Sequence, residues 1–368
     1  MRWSFTVGSV RGTVIRVHAT FLLLLAWYAW GAWAEGGPAS AVRGTAFLLS
    51  LFACVLLHEF GHIAMARRFG VRTPDVLLLP IGGLARLERI PEVPRQELLI
   101  ALAGPAVTLL LCGAFALVVR LQGAALAPGR GAPWEWSLPL ALFAANAGLL
   151  VFNLIPAFPM DGGRVLRAAL ASRLGFARGT RIAASVGRGF AMLFGLWGLF
   201  NYQWVLVLVA LFIFLGATAE AQSVETRVAG RGLTAGRMML TRFDVLPVHA
   251  PLQRAVDLLL SGDQREFPVV DNLGRIEGLL TREHLIRALS TTGPGGTVGE
   301  AMAAGVRPVG PELGFDEAMA ALRQSGLPAL PVVDSAGAVV GLLSLDNLTD
   351  LLLVRRAGAT GGAAPGAG

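Results

Sequence analysis

Hydrophobic and polar positions divide the chain into two unlike parts. From Val17 to Ala219 long apolar runs are separated by short polar stretches, whereas residues 223–354 read as an ordinary water-soluble α/β segment. Crossing about 30 Å of hydrocarbon takes roughly 20 apolar residues in a helix. Six segments approach that length: Val17–Ala34, Gly44–Ala66, Leu98–Val119, Ser137–Phe158, Ile182–Phe200 and Trp204–Ala219. The last two adjoin in a stretch, Gly189–Ala219, that carries no charge. A single helix there would be roughly 45 Å long at about 1.5 Å per residue, so the polar patch Asn201-Tyr202-Gln203 is expected to turn the chain back. The pattern therefore predicts a polytopic α-helical membrane protein of about six spans, followed by a cytosolic α/β module.

Two shorter stretches alternate instead. Trp3–Val17, around Gly8 and Gly12, predicts a hairpin lying at the inner membrane interface. Val76–Ile90, with Pro80, Gly82 and Gly83, also reads as extended. It either presents an edge to an extended peptide or lies against the headgroups.

Composition agrees with a membrane chain, since 54% of residues are hydrophobic and only 15% are charged, against the roughly 25% charged of a soluble domain. Every basic side chain is Arg, which reflects a GC-rich coding bias. The formal charge of +7 is what cytoplasmic basic loops produce and does not call for nucleic acid as a partner. Cys54 and Cys112 both fall inside apolar helices, so neither a disulfide framework nor a thiolate metal site is implied. The first apolar run follows Arg2, Arg11 and Arg16 without a small-residue cleavage site, so it is expected to stay as a helix. With the N-terminus inside, fourteen arginines fall on the inner side against Arg43, Arg120 and Arg130 outside. That bias puts both termini in the cytoplasm.

The second apolar run ends in Leu57-His58-Glu59-Phe60-Gly61-His62. Residues four apart share a helical face, so both imidazoles can reach one ion, with Glu59 beside them to take a proton from water. Ionisable residues are costly in a membrane helix and mark function there. The alternative is that the span stops at Leu57 and the histidines sit in the headgroups, but Ile63-Ala64-Met65-Ala66 resumes the apolar run. A catalytic zinc takes three protein ligands and leaves one position open. His18 opens the first span and His249 and His284 belong to the soluble part; among acids near an apolar segment, Asp161 stands out as the candidate third ligand. It follows Pro156 and Pro159 and precedes Gly162-Gly163, a broken stretch of the kind that lines sites at membrane depth. Asp161 also suits the N-terminus of a helix at Arg164–Leu174.

His58-Glu59-Phe60-Gly61-His62 with Asn153-Leu154-Ile155-Pro156-Ala157-Phe158-Pro159-Met160-Asp161-Gly162 resembles the paired signature of the site-2 protease family. The intervening Leu102-Ala103-Gly104-Pro105-Ala106 matches the start of that family's third span. The resemblance covers residues 1–222 and implies an intramembrane zinc metalloprotease with one zinc per chain. It makes His58, His62 and Asp161 the ligands and Glu59 the general base. Asn153 would hydrogen-bond the substrate or the oxyanion; otherwise it joins two helices of the bundle. The partner implied is a single-span or membrane-tethered protein, cut within the plasma membrane of a bacterium.

The soluble part repeats itself. Glu266-Phe267-Pro268-Val269-Val270-Asp271 recurs as Ala329-Leu330-Pro331-Val332-Val333-Asp334, and Ile276–Thr281 recurs as Val339–Ser344, both at an offset of 63 residues. This resembles a tandem CBS module, which implies a ligand-sensing appendage that often binds adenine nucleotides and often dimerises. In nucleotide-binding members an Asp stands three residues after the Thr or Ser. Here those positions hold His284 and Asn347, which puts ATP or AMP binding in doubt. The expected domains are 1–222 (transmembrane protease), 232–290 and 294–354 (the CBS domains) and 355–368 (a disordered tail), with a linker at Val224–Gly232. A CBS-gated transporter or channel is the alternative function, but it should show broken helices in two repeated halves, and only one break is visible.

Overall fold

The computed structural model describes residues 3–80, 82–86, 92–127 and 131–361. Arg2, Arg89 and Arg130 of the charge count, Ile90 at the end of the second extended stretch, and the tail beyond Gly361 lie outside the described residues. The chain separates into two units, Met1–Val224 and Glu225–Gly368.

In the first unit, β1 (Ser4–Val10) and β2 (Thr13–His18) form an antiparallel hairpin turned at Arg11-Gly12. β2 then pairs in parallel with β3 (Asp75–Leu79), which pairs antiparallel with β4 (Gly82–Arg86). The two extended stretches are thus one four-stranded sheet of order β1-β2-β3-β4. Arg16 faces Asp75 at 3.7 Å across the parallel pair. Thr13 Oγ1 donates to Thr73 O at 2.7 Å and accepts from Arg67 at 2.7 Å.

Helix α1 (Ala19–Arg68) starts at His18, whose ring nitrogen accepts from the Thr20 amide. It is broken at Gly36-Gly37-Pro38, where Gly37 adopts φ +71° and Pro38 offers no amide hydrogen. The arms fold back on each other, since a methyl on Gly44 would stand 3.1 Å from Ala32 Cβ. The second arm carries His58 to His62. α2 (Pro94–Leu121), a 3-10 turn (Pro133–Glu135) and α3 (Leu138–Leu154) follow. The segment expected to span Ser137–Phe158 ends as helix at Leu154, because Pro156 and Pro159 cannot continue the ladder. α4 (Asp161–Leu174) begins three residues earlier than the expected start at Arg164.

α5 (Phe176–Phe200) and α6 (Trp204–Gly230) enclose the turn at Asn201–Gln203. α6 extends through most of the expected linker, because Ala219 to Val228 holds no Gly or Pro to stop it. Among the described residues, four helices, α1, α2, α5 and α6, are long and apolar enough to cross a membrane; α3, with 17 residues, is shorter. The first unit is a helical membrane domain.

The second unit is built twice. α7 (Ala235–Met238), β5 (Leu246–Pro247), α8 (Leu252–Ser261), β6 (Glu266–Val270), β7 (Ile276–Thr281) and α9 (Arg282–Thr292) make the first pass. The second is α10 (Val298–Ala301), β8 (Ala303–Ala304), α11 (Phe315–Ser325), β9 (Ala329–Val333), β10 (Val339–Ser344) and α12 (Leu345–Gly361). The β6–β7 and β9–β10 turns share one device. Asp271 Oδ1 accepts from the amides of Leu273 and Arg275, and Asp334 Oδ1 from those of Ala336 and Ala338.

The repeats are consecutive in sequence but exchange their lead-ins. Leu233, Ala235 and Met238 pack in a core with Leu322, Leu330, Val332 and Leu343 of the second pass, and Val298 joins Leu246, Leu252, Phe267 and Leu280 of the first. β8 pairs with β7, completing the sheet β5-β6-β7-β8. Helix α12 is described as far as Gly361.

Candidate metal centre

The second arm of α1 puts His58 and His62 one turn apart, and both imidazoles point to the same place. Their Nε2 atoms are 3.1 Å apart, and each stands 3.2 Å from Asp161 Oδ2. All three residues are buried, with 5%, 5% and 7% of their surface exposed.

The outer nitrogens decide what the inner ones can do. His62 Nδ1 lies 2.7 Å from the carbonyl of Ile100, which can only accept, so Nδ1 carries the proton. His58 Nδ1 lies 2.8 Å from Thr108 Oγ1. That hydroxyl directs its own hydrogen to the Gly104 carbonyl at 3.4 Å and so accepts from His58. Each imidazole therefore turns a bare Nε2 lone pair inward. With a carboxylate oxygen beside them, three acceptors face one another with no hydrogen to share. A metal cation at the centre of such a triangle would satisfy all three acceptors at once. Ligands at about 2.0–2.1 Å from a tetrahedral zinc stand about 3.3 Å apart, close to the separations of 3.1 and 3.2 Å found here. The donor set could hold a zinc ion, with a carbonyl and a hydroxyl backing the two imidazoles.

Helix α2 supplies that backing because of what it lacks. A methyl on Gly104 would stand 2.2 Å from His62 Nε2 and 2.7 Å from His58 Nε2. The helix backbone itself lies against the imidazoles, and a side chain would fill the space of the ion. Gly61 plays the same part from α1, since a methyl there would meet the Ala103 carbonyl at 2.7 Å. Pro105 removes an amide from α2 beside this contact.

Asp161 is placed by the break between α3 and α4. Ala157 and Met160 pack against Ala191 and Ile213, and Phe158 packs against Ala183, Ala184 and Ala217. Small residues on α5 and α6 let the irregular backbone approach both helices closely. A methyl on Gly163 would strike the Ala157 and Phe158 backbone at 2.6 Å. Asp161 is the first residue of α4 and the cap position is Met160, so its carboxylate is free to turn to the histidines.

Glu59 sits half-buried next to His58, against the sheet; a methyl on Gly83 of β4 would come within 2.6 Å of Glu59 Cγ. Asn153 is half-buried at the end of α3, one residue before the helix stops. Among the described residues no hydrogen bond links it to the histidines or to Asp161. Of the residues singled out from sequence, His58, His62 and Asp161 converge, and Glu59 adjoins them. His18 is used up as the α1 cap, and His249 and His284 lie in the second unit.

Sequence reasoning misses Thr108, the Ile100 carbonyl, and the site roles of Gly104 and Gly83. The only signal for the first was a hydroxyl in an apolar run four residues after Gly104.

Comparison with known proteins agrees with this chemistry. The sequence model of peptidase family M50 matches residues 46–194, and that of the CBS domain matches residues 235–291 and 298–354. A zinc metalloprotease of Methanocaldococcus jannaschii is 34% identical over 280 residues, covering 76% of this chain and 78% of the relative. Rip3 of Mycobacterium tuberculosis, named as a zinc metalloprotease, is 30% identical across 97% of this chain and 94% of its own. Among solved structures, the site-2 protease from M. jannaschii is 35% identical and covers 60% of this chain and 95% of that one, with a TM-score of 0.46. The chain belongs to peptidase family M50: it is a zinc metalloprotease of the site-2 protease type that carries a pair of CBS domains.

Proposed function

We propose that His58, His62 and Asp161 hold the catalytic zinc and that Glu59 is the general base of peptide hydrolysis. The observation that carries this is the triangle of three acceptor atoms with both Nδ1 protons already spoken for. When bound, zinc lowers the pKa of water at its open position and polarises a carbonyl. Glu59 takes the proton from the attacking water and delivers it to the leaving amine. Asn153, at the end of α3, donates its amide to the developing oxyanion. Gly104 and the packed break keep the ligand atoms fixed through the reaction.

The substrate is a membrane-tethered protein whose segment at the cut is extended. β4 is the outer strand of its sheet and Gly83 touches Glu59, so a peptide added to that edge would run past the base. The break in α1 and the apolar run of α3 support six crossings with both termini in the cytoplasm of a bacterium, the plasma membrane being the site of action. The second unit regulates the first or pairs two copies. His284 Nδ1 is engaged with Thr281 Oγ1 at 2.9 Å, and Asn347 Nδ2 donates to the Met238 carbonyl. Both side chains are thus committed within the module, which supports a CBS pair that does not read a ribose through them.

The test is cleavage of a single-span substrate in proteoliposomes by the purified, zinc-loaded chain. Wild type should cut within or beside the span, and Glu59→Gln should bind zinc without cutting. Cleavage at the wild-type rate by Glu59→Gln would remove Glu59 from the chemistry.

A further inference from the structure

The membrane unit buries a second polar cluster that the hydrolytic chemistry does not use. Arg167 of α4 is only 1% exposed, although it is among the largest side chains in the interior. Its Nε and Nη2 both donate to Glu97 Oε1 of α2, at 2.6 and 2.5 Å, and its Nη1 donates to Glu220 of α6. The guanidinium carbon lies over two rings, 4.9 Å from the centre of Phe158 and 5.0 Å from that of Phe176.

The placement of this cluster relative to the metal ligands is specific. On α2, Glu97, Ile100, Gly104 and Thr108 recur every three or four residues and so share one helical face. The last three touch or orient the histidines, and Glu97 is the first residue of the same face. On α4, Asp161 opens the helix and Arg167 follows six residues later. At about 1.5 Å per residue the step from Asp161 to Arg167 is about 9 Å, and that from Gly104 back to Glu97 is about 10 Å. Arg167 thus ties α4 to α2 at Glu97, about two turns from the level at which Asp161 meets the α1 histidines and Gly104 of the same α2 face lies against them. Phe158 adds a third hold, since it belongs to the broken segment that leads into Asp161. A guanidinium can stack between rings and donate two parallel bonds at once, which an ammonium cannot.

We propose that Arg167, pinned to Glu97 and stacked on Phe158, is a positioning residue of the metal centre. It sets the depth and register at which α4 presents Asp161 to the α1 histidines that rest on α2. This rests on Asp161 being a zinc ligand, but its test is separate from that reading.

The experiment compares full-length Arg167→Lys, Glu97→Gln and Phe21→Leu with wild type in detergent. Phe21 packs with Leu48 and Phe52, away from the cluster, and controls for loss of stability alone. Zinc affinity is read by competition with a chromophoric chelator, and ligand geometry by the visible absorption of the cobalt-substituted protein. Arg167→Lys should bind zinc about tenfold more weakly, the lower end of what loss of a group bonded directly to a metal ligand costs, because Arg167 acts on Asp161 only through the helix. Its cobalt bands should shift, because the carboxylate no longer sits at its wild-type place. Glu97→Gln should move both readouts in the same direction by less, and Phe21→Leu should move neither.

Wild-type affinity and cobalt bands in folded Arg167→Lys and Glu97→Gln would overturn the proposal. So would an equal loss of zinc affinity in Phe21→Leu at matched stability. Should Arg167→Lys not fold, Glu97→Gln, which keeps the guanidinium and nearly the same volume, decides the matter by itself. If the wild-type chain takes up no metal, the ligand assignment fails rather than the positioning role.

Discussion

The two units treat polar side chains in opposite ways. In the membrane unit His58, His62 and Asp161 are buried against one another, and with both Nδ1 protons engaged outward their inward atoms converge as three acceptors on one point. In the CBS pair Thr281, His284 and Asn347 are engaged by caps and carbonyls within a few ångströms, and Asp271 and Asp334 by their own turns. A polar group in an apolar helix has no water and no cap to turn to, so an unsatisfied set there reports a ligand. In a water-soluble repeat the same residue types are satisfied locally, and position within the motif says less about binding.

Breaking the first half of that contrast should have the largest effect. Gly104→Ala puts a methyl where the histidines and the ion meet, so zinc uptake and proteolysis should both be lost while the helical circular dichroism is retained. Zinc-replete Gly104→Ala with wild-type activity would mean that the ion sits elsewhere. Glu59→Gln comes next: turnover should fall by about 10²- to 10⁴-fold with zinc content unchanged, as expected for a lost general base. Thr108→Val removes only the acceptor behind His58, and zinc affinity should weaken about tenfold, measured by chelator competition.

The smallest effects belong to the second unit. Asn347→Ala removes the bond to the Met238 carbonyl and should lower the stability of the module by about 1 kcal/mol, read by thermal unfolding, with zinc affinity unchanged. Millimolar ATP or AMP should leave the unfolding temperature of the full chain where it was. A rise with saturation would show that the CBS pair binds nucleotide without the usual Asp.

How much of this was legible in the sequence follows from the range of each interaction. The spacing of His58 and His62 is a local, helical fact and could be read directly. Asp161 stood out because prolines and glycines broke an apolar run beside it, and its pairing with the histidines came from family resemblance. The Ile100 carbonyl had no signature at all, since every residue carries one. Gly104 stood only in a stretch that resembled the family's third span, and its closeness to the imidazoles had no local signature. The parallel pairing of β2 with β3 joins residues about sixty positions apart, so alternation showed strands but not one sheet. In the second unit the 63-residue offset was plain, but the exchange of lead-ins was not, because each lead-in has the same pattern whichever core it enters. The two arms of α1 were visible as separate apolar runs around Gly36-Gly37-Pro38.

The central claim is that three buried acceptors are held together by one cation. Anomalous diffraction from crystals of the full chain, recorded on both sides of the zinc absorption edge, tests it most directly. A single zinc peak bonded to His58 Nε2, His62 Nε2 and Asp161 Oδ2 is the result this account predicts. A peak bonded to other residues, or an ordered triangle with no zinc in protein purified without chelator, would contradict it.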